Sequence, residues 1–290
     1  MNSRLKAIPI SAHVLSIILI LFISCGGGGN HDAPVSTAPE PHIAEQSDYY
    51  DGVMWHRYFR YDNNKIGYAT SIDGLKFDRY PDMIFNGVFP VLVEDGEDVY
   101  LLVRQSDEYN LYDIEVKKKP AFIKTILKGD YFNVGVAVKD GRWHMLAEGK
   151  TGDSFHLRYS WADWPDLDFE ANMGPVLIPT SGNPCLRYIP ERNAILALYG
   201  DHTGGYWKIK AATFDMTSWT VRGFTLASAG IHLSDPDLGV GVEPSPLILT
   251  IGSNQNAVST YLFSGSKLEL YDAIIAGSVE MEDLGVTMSY

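Results

Sequence analysis

Cysteine is nearly absent: the 290 residues hold two, Cys25 and Cys185, too few for a disulfide framework. No C-x-x-C pair and no H-E-x-x-H helix occurs, so no zinc site is signalled, and nothing in the pattern calls for a cofactor. Basic residues are scarce as well, with 23 Lys and Arg against 36 Asp and Glu and a net charge of −13. So acidic a chain is poorly suited to nucleic acid or anionic lipid head groups, whose phosphates need Lys and Arg. Past residue 24 no window shows the 3.6-residue apolar period of an amphipathic helix. The chain is instead rich in Val, Ile, Tyr, Phe and Trp at period two, the pattern of strands.

The amino terminus stands apart. Arg4 and Lys6 precede the apolar run "HVLSIILILFIS", which is short for a membrane span and reads as a secretory signal peptide. "LFISC" followed by "GGGGN" resembles a bacterial lipoprotein lipobox, with Phe22 in place of the usual Leu. That resemblance implies a signal peptide over residues 1–24, a lipid on Cys25 and a place in the cell envelope facing outward from the cytoplasm. An ordinary cleaved signal or an uncleaved anchor are the alternatives. Residues 25–48, rich in Gly, Pro, Ser and Ala, read as a tether. With Cys25 lipidated, Cys185 in "NPCLRY" has no partner and reads as a small buried residue.

Residues 49–290 carry a repeat. The phrase "KIGYATSIDGLKF" belongs to a unit of tight turn, alternating strand, polar loop and second alternating strand. Further copies begin at Asp95, Asp140, Glu191 and Pro246. The second alternating strands start near Ile66, Tyr109, Phe155, Trp207 and Val258, at intervals of 43, 46, 52 and 51. An apolar strand precedes most copies ("VFPVLVE", "FNVGVAVK", "NPCLRYIP", "DPDLGVGV"), and a fourth follows each, "LELYDAII" in the last. Five four-stranded units of this length predict an all-β fold, a five-bladed β-propeller. A β-sandwich would also have many short strands but not strands recurring in fours. A monomer is expected.

The first-blade phrase, with Met54, Trp55, Ile66, Asp73, Gly74 and Phe77, resembles the five-bladed glycosidases of glycoside hydrolase families 43, 32 and 68, the arabinanase, xylosidase and invertase type. "GNPCLRY" and "SDPDLGV" look like the blade-opening phrases of that group. The resemblance implies an oligo- or polysaccharide partner and three acids: one opening the first blade, one opening the second, and a general-acid Glu near the opening of the third. This chain departs from that set. Phe89 stands before a proline where an Asp is expected, Asn133 stands in the third opening, and "PHIAEQSDYY" has no Asp-Pro.

In an antiparallel blade the start of the innermost strand and the end of the second lie on one face. Polar residues at those places therefore converge on one funnel. Asn86, Asn133, Asn183, Asp235 and Asp237 are the strand starts; His56, Arg57, Arg104, Glu148, Asp201, His202 and Gln255 are read at second-strand ends. Hydrolysis of a glycosidic bond needs two carboxyl groups, so Glu148, Asp235 and Asp201 are the candidate catalytic acids, with Glu148 and Asp235 facing each other across the axis. His56, Arg57, Arg104, Asn133, Asn183, His202 and Gln255 are the candidate sugar-binding residues. The bland alternatives are a Glu148 held by Lys150, an Asp235 that merely opens a strand, and an Asp201–His202 turn. Trp143 and Trp207 read as core, and Trp161 and Trp164 as an exposed outer turn. Two functions fit: a glycoside hydrolase with a rearranged acid set, or a non-catalytic envelope propeller that binds a glycan or a protein.

Overall fold

The computed structural model describes residues 44–288 except 63, 84, 116–118, 229 and 254–256; the proposed signal peptide, Cys25 and Gln255 lie outside them. Four-stranded antiparallel sheets follow one another along the chain as five blades. Blade 1 is Ala44–Tyr50, Trp55–Asp62 and Lys65–Ser71 with a broken outer strand, Asp78–Arg79 and then Phe85–Asn86. Blade 2 is Val88–Asp95, Asp98–Gln105, Glu108–Asp113 and Ala121–Lys128. Blade 3 is Tyr131–Lys139, Arg142–Thr151, Ser154–Asp163 and Val176–Pro179. Blade 4 is Ser181–Ile189, Ala194–Asp201, Lys208–Phe214 and Trp219–Leu226. Blade 5 is Leu233–Asp237, Leu247–Ser253, Ala257–Phe263 and Glu282–Met288.

Burial follows from the stacking of blades. The second strand of blade 4, "AILALYGD", is buried at every position because it is covered on both faces. The outer strand Trp219–Leu226 keeps an exposed alternation. Trp143, fully buried, packs between blades 2 and 3 as expected. Trp164 is 41% exposed but stacks on Trp143 and Tyr100, and Arg142 covers Trp161, so this outer turn is blade packing. Cys185 is buried, and burial pushes its thiol up to about 11, which leaves it unreactive.

Two expectations are corrected. "LELYDAII" is not a strand: Lys267–Ala276 is an α-helix. Ser266 and Glu269 form a capping box and Gly277 closes the other end in the left-handed conformation. Leu270, Tyr271 and Ile274 turn one face into the core of blades 4 and 5. The fourth strand of blade 5 comes later, at Glu282–Met288. The inner strand of blade 1 begins at Ala44, within residues read as tether.

The seam between blades 5 and 1 is the leanest in apolar contacts, with Phe59, Ala69 and Val258 at its buried centre. Polar contacts hold it. Tyr49 and Tyr50 pair in parallel with Val240 and Gly241. The buried Arg57 makes a bidentate pair with Asp48 (2.7 and 2.8 Å). The Asp48 amide donates to Asp237 Oδ2 (2.8 Å), and Arg187 Nη2 donates to Asp237 Oδ1 (2.6 Å). One chain of charges thus ties blades 1, 5 and 4. Removing one member strands another in low dielectric. Asp237→Ala is expected to lower the unfolding free energy in urea by about 3–5 kcal/mol; a loss below about 1 kcal/mol would show that the seam does not rest on this network.

Candidate functional site

Every inner strand carries one extra residue near its start. Val88 pairs with Arg104 but Val91 with Leu102. The same shift occurs between Gly182 and Cys185, between Ser234 and Asp237, between Tyr131 and Val134, and after Ala44. A bulge of this kind re-aims a side chain out of the pleat. The residues so placed are Glu45, Phe89, Phe132, Asn183 and Asp235, one per blade, and all five line one cavity. Four of them have positive φ: 59° for Glu45, 53° for Phe89, 51° for Asn183 and 49° for Asp235. Asn and Asp accept this conformation readily; for Glu and Phe it is strained, at a cost of order 1–3 kcal/mol. Pro90, Pro184 and Pro236 follow three of the five, where the missing N–H costs the ladder little. The Asn-Pro and Asp-Pro phrases are therefore the sequence mark of the bulge.

The cavity, of about 250 Å³, also takes in Arg60, Asn133, Glu148, Phe155, Trp207, His232 and Ser234. Three carboxyl groups meet there. Glu148 ends the apolar run of the second strand of blade 3 and is 4% exposed. Its Oε2 accepts from the Asn183 backbone N–H (2.8 Å) and from Asn133 Nδ2 (3.1 Å). It lies against Gly182, where any Cβ would stand 2.6 Å from the carboxyl. Asp235 Oδ2 accepts from Ser234 Oγ (2.6 Å). One end of the Asn183 side-chain amide lies between the acids, 3.1 Å from Glu148 Oε2 and 3.2 Å from Asp235 Oδ1, and also meets Asn133 Nδ2: with its nitrogen there it bridges the two acids, and with its oxygen there it accepts from Asn133. Glu45 accepts from Arg60 Nη1 (2.5 Å) and from the Phe89 N–H (3.4 Å).

Burial sets the acidities. It pushes Glu148 up to about 7, against the pull of the Asn183 N–H and the Asn133 amide. It pushes Asp235 up to about 6, against the Ser234 hydroxyl and the charge of Arg60. Glu45 is driven well above the carboxylate range by burial and then by the charge of Asp235, although Arg60 opposes both. Lys150 plays no part in holding Glu148: its ammonium lies over the Phe155 ring and 4.0 Å from Asp153.

One side of the cavity is aromatic. Phe155 meets Phe132 edge-on and Trp207 at 5.9 Å, and His202 stacks on Trp207 at 4.9 Å. Trp207 is thus not core. It precedes the third strand of blade 4 and is half-buried at the mouth, next to an exposed Tyr206.

Of the residues named from sequence, Glu148, Asp235, Asn133 and Asn183 do converge. His202 stands behind Trp207, and Arg104 lies over Phe132, its guanidinium 5.3 Å from the ring centre. Three do not join them. His56 and Arg57 stand at the beginning of their strand, Trp55–Asp62, and so at the opposite face: His56 bonds Tyr68 and Asp51, and Arg57 belongs to the seam. The residue of that strand at the funnel is Arg60. Asp201 ends its strand but turns to Thr203 (2.7 Å) and Lys210 (3.5 Å). Glu148 and Asp235 are not separated by open space across the axis, because Asn183 of blade 4 stands between them. Sequence reasoning missed Glu45. No proline follows it, but its place ahead of the alternating "QSDYY" was a usable signal.

No protein-family profile matches the chain, and no curated protein does. Solved structures do. The catalytic domain of a Coprinopsis cinerea family 62 α-L-arabinofuranosidase matches with a TM-score of 0.56 at 14% identity, over 81% of this chain and 95% of that one. An endo-1,4-β-xylanase from Bacteroides thetaiotaomicron matches with a TM-score of 0.59 at 11% identity, over 86% and 97%. A family 117 glycoside hydrolase from Zobellia galactanivorans matches with a TM-score of 0.56 at 11% identity, over 77% and 82%. At these identities the likeness is one of fold: the chain is a five-bladed β-propeller of the kind seen in solved glycoside hydrolases.

Proposed function

We propose that the chain is a carbohydrate-active protein that hydrolyses a glycosidic bond in its funnel. The observation that carries the reading is the pair of buried carboxyls of unlike acidity, Glu148 and Asp235, on either side of one amide. Two neighbouring carboxyls of unlike acidity can divide the acid and base roles between them. Glu148, the weaker acid, holds its proton near neutrality and gives it to the leaving oxygen. Asp235, the stronger, is ionised and serves the anomeric carbon. One oxygen of each lies within hydrogen-bond reach of the same Asn183 atom, at 3.1 and 3.2 Å, so the two groups face one site. Glu45 and Asn133 would hold hydroxyls, and Trp207 with Phe155 offers an apolar face for a ring.

Phe89 favours a second reading, a non-catalytic glycan binder, because the second blade puts an aromatic ring where an acid would serve. Glu148→Gln separates the two. It keeps the shape but not the proton, so turnover is expected to fall roughly a hundredfold to ten-thousandfold with binding retained. The assay is a panel of aryl glycosides and of plant and microbial polysaccharides. Glycan binding by calorimetry with no turnover by the parent would leave the binding reading; turnover unchanged in the variant would remove Glu148 as the acid.

The pH dependence carries a sign. Activity needs Asp235 ionised, hence pH above about 6, and Glu148 protonated, hence pH below about 7. The coupled pair titrates as a unit. The expected kcat/KM profile is a narrow bell with its maximum between those values, and Glu148→Gln removes the alkaline limb from whatever activity survives. A profile flat from pH 5 to about 8 would contradict these roles.

The cell-envelope reading is proposed on sequence grounds alone, from "LFISC" followed by four glycines. Cys25→Ser is expected to move the protein from the membrane fraction to the soluble fraction. If the variant stays with the membranes, a lipid on Cys25 is not the anchor.

A further inference from the structure

The residue that pairs across from the one before each bulge occupies an equivalent place around the mouth of the funnel. In blades 3, 4 and 5 it is glycine: Gly149, Gly200 and Gly252. In blades 1 and 2 it is arginine: Arg60 and Arg104. One arc of the mouth therefore carries two arginines on a chain of net charge −13. The aromatic pair lies over the glycine arc, with Trp207 against Gly200.

The two arginines are not in the same state. Arg60 is engaged by Glu45 at 2.5 Å. Among the described residues Arg104 has one ion-pair contact, Asp130 at 3.9 Å, whose side chain is 80% exposed while that of Arg104 is 15% exposed. Such a contact is weak. Among the described residues the Nε of both arginines is buried without a hydrogen-bond partner, so the difference between them lies at the Nη groups. The Arg104 guanidinium lies over Phe132, a wall residue of the cavity. A mostly buried guanidinium whose Nη groups meet only that weak partner gains from an acceptor that reaches them. The acceptor that best fits its planar fork is an oxyanion taken by two parallel N–H bonds.

We propose that the funnel takes a glycan bearing an acidic substituent, a carboxylate or a sulfate ester, with that oxyanion seated on Arg104 between blades 2 and 3. The sugar face then lies toward Phe155 and Trp207, and the bond to be cut lies over Glu148 and Asp235. This rests on the glycan reading above and adds the substrate class to it. It also gives the arginine arc a purpose on an acidic protein: an acidic polymer that the whole surface repels is admitted at one place.

The test is calorimetry on the chain without its signal peptide. The probes are matched oligosaccharides from xylan, galactan and mannan, each neutral and with a single glucuronate or sulfate. The readout is the affinity ratio of acidic to neutral member within each pair. For the parent the acidic member of one pair is expected to bind about ten- to a hundredfold more tightly. Arg104→Gln is expected to bring that ratio to about one, while the exposed surface variant Lys128→Gln keeps it. Should Arg104→Gln not fold, Arg104→Lys is expected to lower the ratio by loss of the two-pronged contact. In addition, the parent's ratio is expected to shrink as salt rises toward about 0.5 M. A ratio of one for the parent in pairs whose neutral member binds would overturn the inference and leave the glycan reading standing. A ratio untouched by Arg104→Gln or Arg104→Lys, or independent of salt, would overturn it as well. Inorganic phosphate binding that depends on Arg104, with no preference for acidic sugars, would place a free anion there instead. Binding of neither member of any pair would remove the glycan reading and this inference with it.

Discussion

The site depends on one backbone irregularity used five times. A regular inner strand would send alternate side chains into the neighbouring blades and none along the axis. One inserted residue per blade breaks that alternation, and the inserted side chain is delivered to the shared cavity. The chemistry at the axis is then a matter of which five residues stand there: two acids, two phenylalanines and an asparagine. Strain is accepted for that placement, since Glu45 and Phe89 hold a left-handed conformation that neither prefers.

Bringing three carboxyls into one partly closed space has electrostatic consequences. Burial raises all three, and the charge of Asp235 adds to the rise at Glu45 and Glu148. Arg60 meets one of them and the Asn183 amide lies between the other two. Glu148 receives a backbone N–H and an Asn; Asp235 receives a serine hydroxyl and feels Arg60. Burial lifts both by similar amounts, and Glu148 remains the weaker acid as a glutamate ordinarily is beside an aspartate. The same blade stacking that excludes water from the core excludes it from around the acids.

Ring closure is the other requirement. Four seams are packed by sizeable apolar clusters, while the fifth has a small one and relies on the Arg57–Asp48–Asp237–Arg187 chain. Those charges sit beneath the acids of the funnel: Asp237 is two residues from Asp235, and Asp48 three from Glu45. The two strands that close the ring also place Glu45 and Asp235, whereas Glu148 comes from blade 3.

The amino-acid sequence by itself determined the five four-stranded blades, because alternation, turn residues and a period near 45–50 residues are local properties that need no partner to be seen. It marked three of the bulges through Asn183-Pro184, Asp235-Pro236 and Phe89-Pro90, and it marked Glu148 as a polar end to an apolar strand. The helix was also written locally, in the Ser266–Glu269 box and Gly277, but its apolar face over Leu270, Tyr271 and Ile274 is short enough to pass for a strand. Only the tertiary structure decided the rest. Which end of Trp55–Asp62 faces the funnel depends on strand direction within the blade, so His56 and Arg57 lie far from the acids and Arg60 beside them. Glu45 has no proline to announce it; its place follows from closure of blade 1 onto blade 5. Trp207 leaves the core because a glycine of the neighbouring strand gives its ring room to lie at the mouth. These are relations between residues far apart in the chain, which a one-dimensional pattern does not contain and packing supplies.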